Sequence, residues 1–136
     1  MKLLGILLVF MLMTVSSYSR DTKLLLPINS ALKKGKAAGV IDRHIRLQFG
    51  KRNLRRGQRK YTANRKTYAL HKSDRTACEW AFFSAVKSLQ RRARSKGRRN
   101  VTGIVSYSNR RTRSSSSRYE CHVGGVVAAV ILKGNI

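Results

Sequence analysis

The sequence predicts an α+β domain, with one main amphipathic helix over residues 77–96 packed on a mostly antiparallel sheet. Three observations lead there. A helical period with its own start and stop runs through Ser73 to Lys96, strand-like alternation recurs before and after it, and 136 residues supply one modest core.

Met1 to Ser19 reads as a secretory signal peptide. Lys2 makes the positive start, Leu3 to Val15 the apolar run, and Ser17 and Ser19 the small residues before a cut. Residues 20–136 are then the mature single domain, at +24 from 29 basic and five acidic residues. No stretch of that mature chain approaches the roughly 20 apolar residues a membrane span requires, and no Cys at the cut suggests a lipid anchor.

Lys23 to Leu26 reads as a short strand, and Pro27 as the opening of a helix that runs through Leu32 and dies between Gly35 and Gly39. Val40 to Phe49 reads as a half-buried strand, with Ile41, Ile45, Leu47 and Phe49 inward and Asp42, His44, Arg46 and Gln48 outward. Gly50 to Lys60 carries Lys51, Arg52, Arg55, Arg56, Arg59 and Lys60, and reads as a mobile basic loop. Tyr61 to Leu70 holds a short strand.

For the main helix, Thr76 is the expected N-cap and Glu79 completes a capping box, so the helix starts near Ala77. Cys78, Ala81, Phe82, Ala85, Leu89 and Ala93 form the core stripe, with Val86 at its edge. Gly97 is the stop, preceded by Arg91, Arg92, Arg94 and Lys96, whose charges suit the negative helix end. Trp80 and Phe83 lie off the stripe on a basic face. Either another segment covers them, or they form an aromatic binding platform.

Val101 to Tyr107 reads as a strand with Val101, Val105 and Tyr107 on one face. Asn109 to Arg118, with four consecutive serines and Arg110, Arg111 and Arg113, reads as a flexible basic connection. Tyr119, Cys121 and Val123 alternate against Glu120 and His122, and Gly124 and Gly125 suggest a bulge or kink. Val126 to Leu132 is continuously apolar, the pattern of a central strand covered on both faces.

Export makes the cysteines informative, because an oxidising compartment permits disulfides. Cys78 on the helix stripe and Cys121 in a strand-like run suit a bridge, with two buried thiols as the other reading. Adjacent Cys121 and His122 lack the usual spacing of zinc ligands, so no metal and no cofactor is expected.

The runs CEWAFFSAVKSLQRRARSKGRRNVTGIVSY and YECHVGGVVAAVILKG, with RDTKLLLPI and IRLQFG before them, resemble a family of small exported bacterial proteins often catalogued as "excinuclease ATPase subunit". That name implies nucleotide hydrolysis. The chain has no G-x-x-x-x-G-K-[ST] phosphate loop and no acidic partner for Mg²⁺, so ATPase chemistry is not expected. More distantly, the helix ending in Gly and Asn before an apolar strand is similar to the YbjQ-like fold and to the envelope-stress lipoprotein of the Rcs pathway. That similarity implies a compact, disulfide-stapled α+β fold, and leaves activity open. The Asn100-Val101-Thr102 sequon reads as chance in a bacterial setting.

Thirty Lys and Arg against five Asp and Glu give +25, with a pI of about 11.6. Such an excess points to polyanionic partners: nucleic acid, lipopolysaccharide or an acidic polysaccharide. Catalysis is poorly supplied, since Asp21, Asp42, Asp74, Glu79 and Glu120 are the only acids. A ribonuclease using His44 and His122 as its two imidazoles is the one enzymatic alternative. The favoured reading is a non-catalytic, periplasmic or secreted protein. Its candidate contacts are the 50–60 and 109–118 loops and Arg91, Arg94, Arg98 and Arg99 at the helix end, with no sequence specificity. The competing reading is an envelope structural or stress-related module with a protein partner.

Overall fold

A computed structural model describes residues 20–136, so the signal-peptide reading lies outside the described residues. Seven strands and two helices follow in the order β1 (Thr22–Pro27), α1 (Ile28–Ala37), β2 (Arg46–Phe49), β3 (Lys60–Tyr68), α2 (Asp74–Ser95), β4 (Asn100–Ser108), β5 (Arg111–Arg113), β6 (Arg118–Val123) and β7 (Val127–Asn135). The α+β class and the helix-on-sheet arrangement stand as expected.

β7 is the spine of the sheet. It pairs antiparallel with β3 over its whole length, while its other edge is shared by β6 near its start and β4 near its end. β1 extends the sheet beyond β6, β5 pairs with β4, and β2 joins β4 in parallel. Packing covers one face only. Ala128, Val130 and Leu132 of β7 are buried, whereas Ala129, Ile131 and Lys133 are half-buried. The expectation of cover on both faces is therefore corrected: Val127, Ala129 and Ile131 stay half-buried on the outer face without a second layer of helix or sheet, beside the aliphatic stem of Lys133.

α2 covers the inner face. Its stripe is the predicted one, joined by Ala77, Phe83 and Gln90. Phe82 is fully buried and stacks on Tyr119 of β6, centroids 4.2 Å apart. Beside it Cys78 and Cys121 form the disulfide, with a Cα–Cα distance of 5.9 Å. The cap differs from expectation. Ser73 is the N-cap and its Oγ accepts from the Thr76 N–H at 3.1 Å, so the helix starts three residues early. Glu79 is drawn away from the cap by Lys34 of α1 at 3.0 Å and Arg75 at 3.6 Å. At the other end Gly97 adopts φ +67, and N–H groups of Gly97 and Arg98 donate to the carbonyls of Arg94 and Ala93, a Schellman stop.

α1 continues beyond Leu32 to Ala37, because Gly35 fits against Ile41 and Phe83, where a Cβ would come within 2.4 Å of Ile41 Cδ1. Residues 40–45 are turn rather than strand. Ile41 and Ile45 are buried from that turn, and His44 lies in it, not on a strand face. β3 runs for nine residues, longer than the short strand expected.

β4 carries one extra residue relative to both neighbours. Thr102 and Val105 face Asn135 and Lys133, while Val101 and Ile104 face Leu47 and Phe49. Gly103, at φ +60, forms this bulge and brings Ile104 into the core. The 109–118 stretch is also more ordered than its composition suggests. Asn109 and Arg110, at φ 50 and 60, make a two-residue hairpin turn into β5. Gly124 and Gly125 belong to the β6–β7 turn, closed by the Gly124 N–H to Val127 carbonyl bond at 2.8 Å, and not to a bulge.

Candidate polyanion-binding surface

The acids are spent inside the molecule. Asp74 pairs with Arg20, Asp42 with Arg94 at 2.6 Å, Glu79 with Lys34 and Arg75, and Glu120 with Arg113 at 3.3 Å. Asp21 lies 3.3 Å from the His122 imidazole. Of the 29 Lys and Arg that remain once Lys2 is set aside, five meet a carboxylate and 24 do not. Arg94 and Arg113 of the predicted set are thus committed to ion pairs.

The 50–60 loop is irregular in conformation but tied along its length. Gly50 N–H donates to Ile104, Lys51 N–H to Ser114 Oγ at 2.7 Å, and Asn135 Nδ2 to the Arg52 carbonyl at 3.0 Å. Gln58 closes a turn with Arg55 in both directions, and Arg59 exchanges two bonds with Ile136. The expectation of a mobile loop is corrected accordingly: its backbone groups find partners on β4, β7 and the chain after β5. Its six cationic side chains are all exposed.

These ties bring the three predicted basic segments together. The loop meets the 109–118 segment at Ser114, and its far side meets the helix end, where Arg98 Nη2 reaches the Gly57 carbonyl at 3.5 Å. From Arg98 and Arg99 the exposed surface continues to Arg94 and His44, and Arg91 lines the next cleft with Arg94. Arg110 and Arg111 sit at the hairpin tip, and Arg111 opens on a groove of about 760 Å³ shared with Lys23 and His122. Cations distant in sequence thereby form one belt.

The outer sheet face joins Lys66 and Lys133, absent from the sequence-based set, to Lys60 of that set. Lys60, Lys66 and Tyr68 of β3 project there beside Lys133 of β7, whose ammonium lies 3.5 Å from the Tyr107 ring centroid. The period-two spacing of Lys60, Thr62, Asn64, Lys66 and Tyr68 was the available signal.

The aromatic platform is not assembled as predicted. Phe83 is 4% exposed, covered from the α1 side, and meets Trp80 edge to face at 5.3 Å. Trp80 alone presents a surface, at 43% exposure. Tyr61 carries the Arg92 guanidinium over its ring at 4.9 Å.

Nor are the two candidate imidazoles brought together. His44 precedes β2 and His122 lies on β6, three strand positions apart, or roughly 14 Å at the usual strand spacing, and they line different clefts. His122 sits between Asp21 and Glu120, its Nε2 3.2 Å from Glu120 Oε2. Among the described residues no group of three or more His, Cys, Asp or Glu is placed to hold a metal, and no helix is long and apolar enough to cross a membrane.

Two titrating groups are perturbed. Burial raises the Tyr119 phenol, next to Glu79. Asp42 is held below the usual carboxylate range, first by the His44 backbone N–H and then by Arg94. A depressed carboxylate stabilises the fold above its unfolded pKa, near 3.8, and the benefit is lost as pH falls through the folded value. Asp42→Asn is therefore expected to flatten the stability loss below about pH 4 in acid unfolding curves. An unchanged curve would show that the His44 turn holds without the charge.

Comparison with protein-family models, with curated proteins and with solved structures finds no match to this chain.

Proposed function

We propose that this is an exported, non-catalytic protein that binds polyanions through its basic belt without sequence specificity. The single observation carrying the reading is the 50–60 loop, whose hydrogen bonds to Ser114 and from Arg98 fix three basic segments as one surface. The pairing of four of the five acids with Lys or Arg supports it further; Asp21, which faces His122, and Glu120 stand only at the Arg111 end of the belt. Export to a periplasmic or secreted location is supported by the Lys2-to-Ser19 pattern and by the Cys78–Cys121 disulfide. The partner classes are nucleic acid, lipopolysaccharide and acidic polysaccharide.

The test is a titration of the purified oxidised protein with single-stranded RNA, double-stranded DNA and heparin across 50 to 300 mM salt, concentrations set by the counterion-release regime at about physiological strength. The expected result is binding to all three with a linear fall of log affinity against log salt. Base sequence should not alter it. Binding that vanishes by about 150 mM salt would mean a generic charge effect, and would overturn the reading. Trp80 beside Phe83, in a cleft of about 260 Å³, favours the second reading of an envelope protein partner, for which salt-tolerant capture lost in Trp80→Ala is the signature.

A further inference from the structure

We infer that the cleft between the 50–60 loop and the outer sheet face receives a dianionic phosphomonoester group, an inference that rests on the polyanion reading for the premise that this face meets anions. Lys51, Arg52, Lys60 and Lys133 line the cleft together with Thr112 and Asn135, and no carboxylate or histidine does. Its volume is about 170 Å³. Sites that enclose a whole small molecule run at about 300–1,000 Å³, so this one takes a single charged group at the end of something larger, or a small free ion.

The walls are built rather than incidental. The Lys51 N–H is fixed on Ser114 and the Arg52 carbonyl on Asn135, itself only 2% exposed. Lys60 stands opposite Asn135 in the β3–β7 register, and the Lys133 ammonium is seated on the Tyr107 ring. Gly103 keeps the floor open, since a Cβ there would come within 2.5 Å of Asn135 Nδ2. Three separate parts of the chain thus deliver four cations to one small space.

Charge decides which group is accepted. Four cations without carboxylate partners repel one another, and an anion placed among them relieves that repulsion in proportion to its own charge. A phosphodiester brings one negative charge; a phosphomonoester brings about −1.5 to −2 at pH 7, with three acceptor oxygens. The Lys and Arg donors, together with the Thr112 hydroxyl, suit a tetrahedral oxyanion approached from several sides. Recognition alone is involved, and no bond is made or broken.

The experiment compares one oligonucleotide with a 5′-phosphate and with a 5′-hydroxyl, bound to the purified oxidised protein at fixed salt, alongside an inorganic phosphate titration followed by the NMR shifts of Tyr107 and Lys133. The phosphorylated strand is expected to bind about tenfold tighter or more. Its advantage should grow between pH 5 and 7.5 as the second phosphate proton, with a pKa of about 6, is lost. Because the charged groups lining the cleft are Lys51, Arg52, Lys60 and Lys133 alone, with the Tyr107 ring beneath Lys133, and Thr112 and Asn135 do not titrate, that pH dependence belongs to the ligand. Lys51→Gln with Lys60→Gln should abolish the preference, and the charge-matched Lys33→Gln with Lys72→Gln, outside the cleft, should keep it. Equal binding of the two strands would overturn the cleft and leave the polyanion reading standing. Binding of neither would overturn the polyanion reading instead; phosphate-induced shifts at Tyr107 and Lys133 would then uphold the cleft, and their absence would remove it as well.

Discussion

Replacing Cys78 and Cys121 together with alanine is expected to lower the unfolding free energy by about 4 kcal/mol. The figure follows from the chain-entropy cost of a loop closed across 43 residues. Against the roughly 6–18 kcal/mol that a domain of this size possesses, that is a large share. The topology says where the loss appears first. β1 and β6 pair with each other over six residues, but β6 joins β7 only at His122 and Val123. The β1–β6 ribbon is therefore held to the rest by two residue pairs, by Tyr119 and Val123 in the core, by Glu120, whose N–H donates to Ser106 Oγ of β4 at 2.9 Å and whose carboxylate pairs with Arg113, and by the disulfide. Hydrogen exchange should show amides of Leu24, Leu26 and Cys121→Ala losing protection before those of β3 and β7. Urea unfolding measures the total. A loss below about 1 kcal/mol would mean that the Phe82–Tyr119 stack, Val123 and the bonds of β6 to β7 and β4 retain the ribbon without the disulfide. The 50–60 loop is tied to β4, Asn135 and Ile136 and not to this ribbon, so its share of polyanion binding under native conditions should survive the substitution, while the Arg111 end, which adjoins Lys23 and His122, is the part that would weaken.

The main helix and the disulfide were legible because their signals are local or follow from one period. The Cys78 stripe repeats at helical spacing, and Tyr119, Cys121 and Val123 alternate, so both sulfurs point into one core. The cap was not legible. Ser73 and Thr76 are both capping residues, and the Thr76–Glu79 spacing fits a capping box; what decided was Lys34, 45 residues before Glu79, which pairs with that carboxylate. Ile41 and Ile45 misled in another way, since apolar residues four apart are buried from a turn as readily as from a strand. The hairpin at Asn109 and Arg110 was hidden because Arg seldom adopts positive φ, and the usual Asn-Gly signal is missing. The cationic cleft depends on the register that sets Lys60 against Asn135, and on a bulge at Gly103. Neither can be counted from composition, which is why the sequence offers the basic segments one by one and not the surface they build.

The largest functional effect is expected from neutralising the loop: Lys51, Arg52, Arg55, Arg56, Arg59 and Lys60 all to glutamine. Each side chain is exposed, and the loop is held by backbone groups, Gln58 and Asn135, so the fold should stand. If the six cations each neutralise one phosphate of duplex DNA, their removal reduces the slope of log affinity against log salt by about 5. In the parent protein such a slope means a roughly 10³-fold loss of affinity between 50 and 200 mM salt, and the variant should lose most of that dependence along with the affinity itself. The decisive control compares equal charge removed in two places: Arg55, Arg56 and Arg59 to glutamine in the loop, and Lys33, Arg65 and Lys72 to glutamine, all exposed and outside the clefts of the belt. Both triple variants carry the same net charge. A belt fixed at Ser114 and Arg98 predicts that the loop variant suffers far more, because bound phosphates respond to cations held at contact distance while remote ones are screened over about 8 Å at physiological salt. Equal losses would mean that anions respond to the total charge of the molecule, and the hydrogen bonds that order the loop would then serve the fold alone.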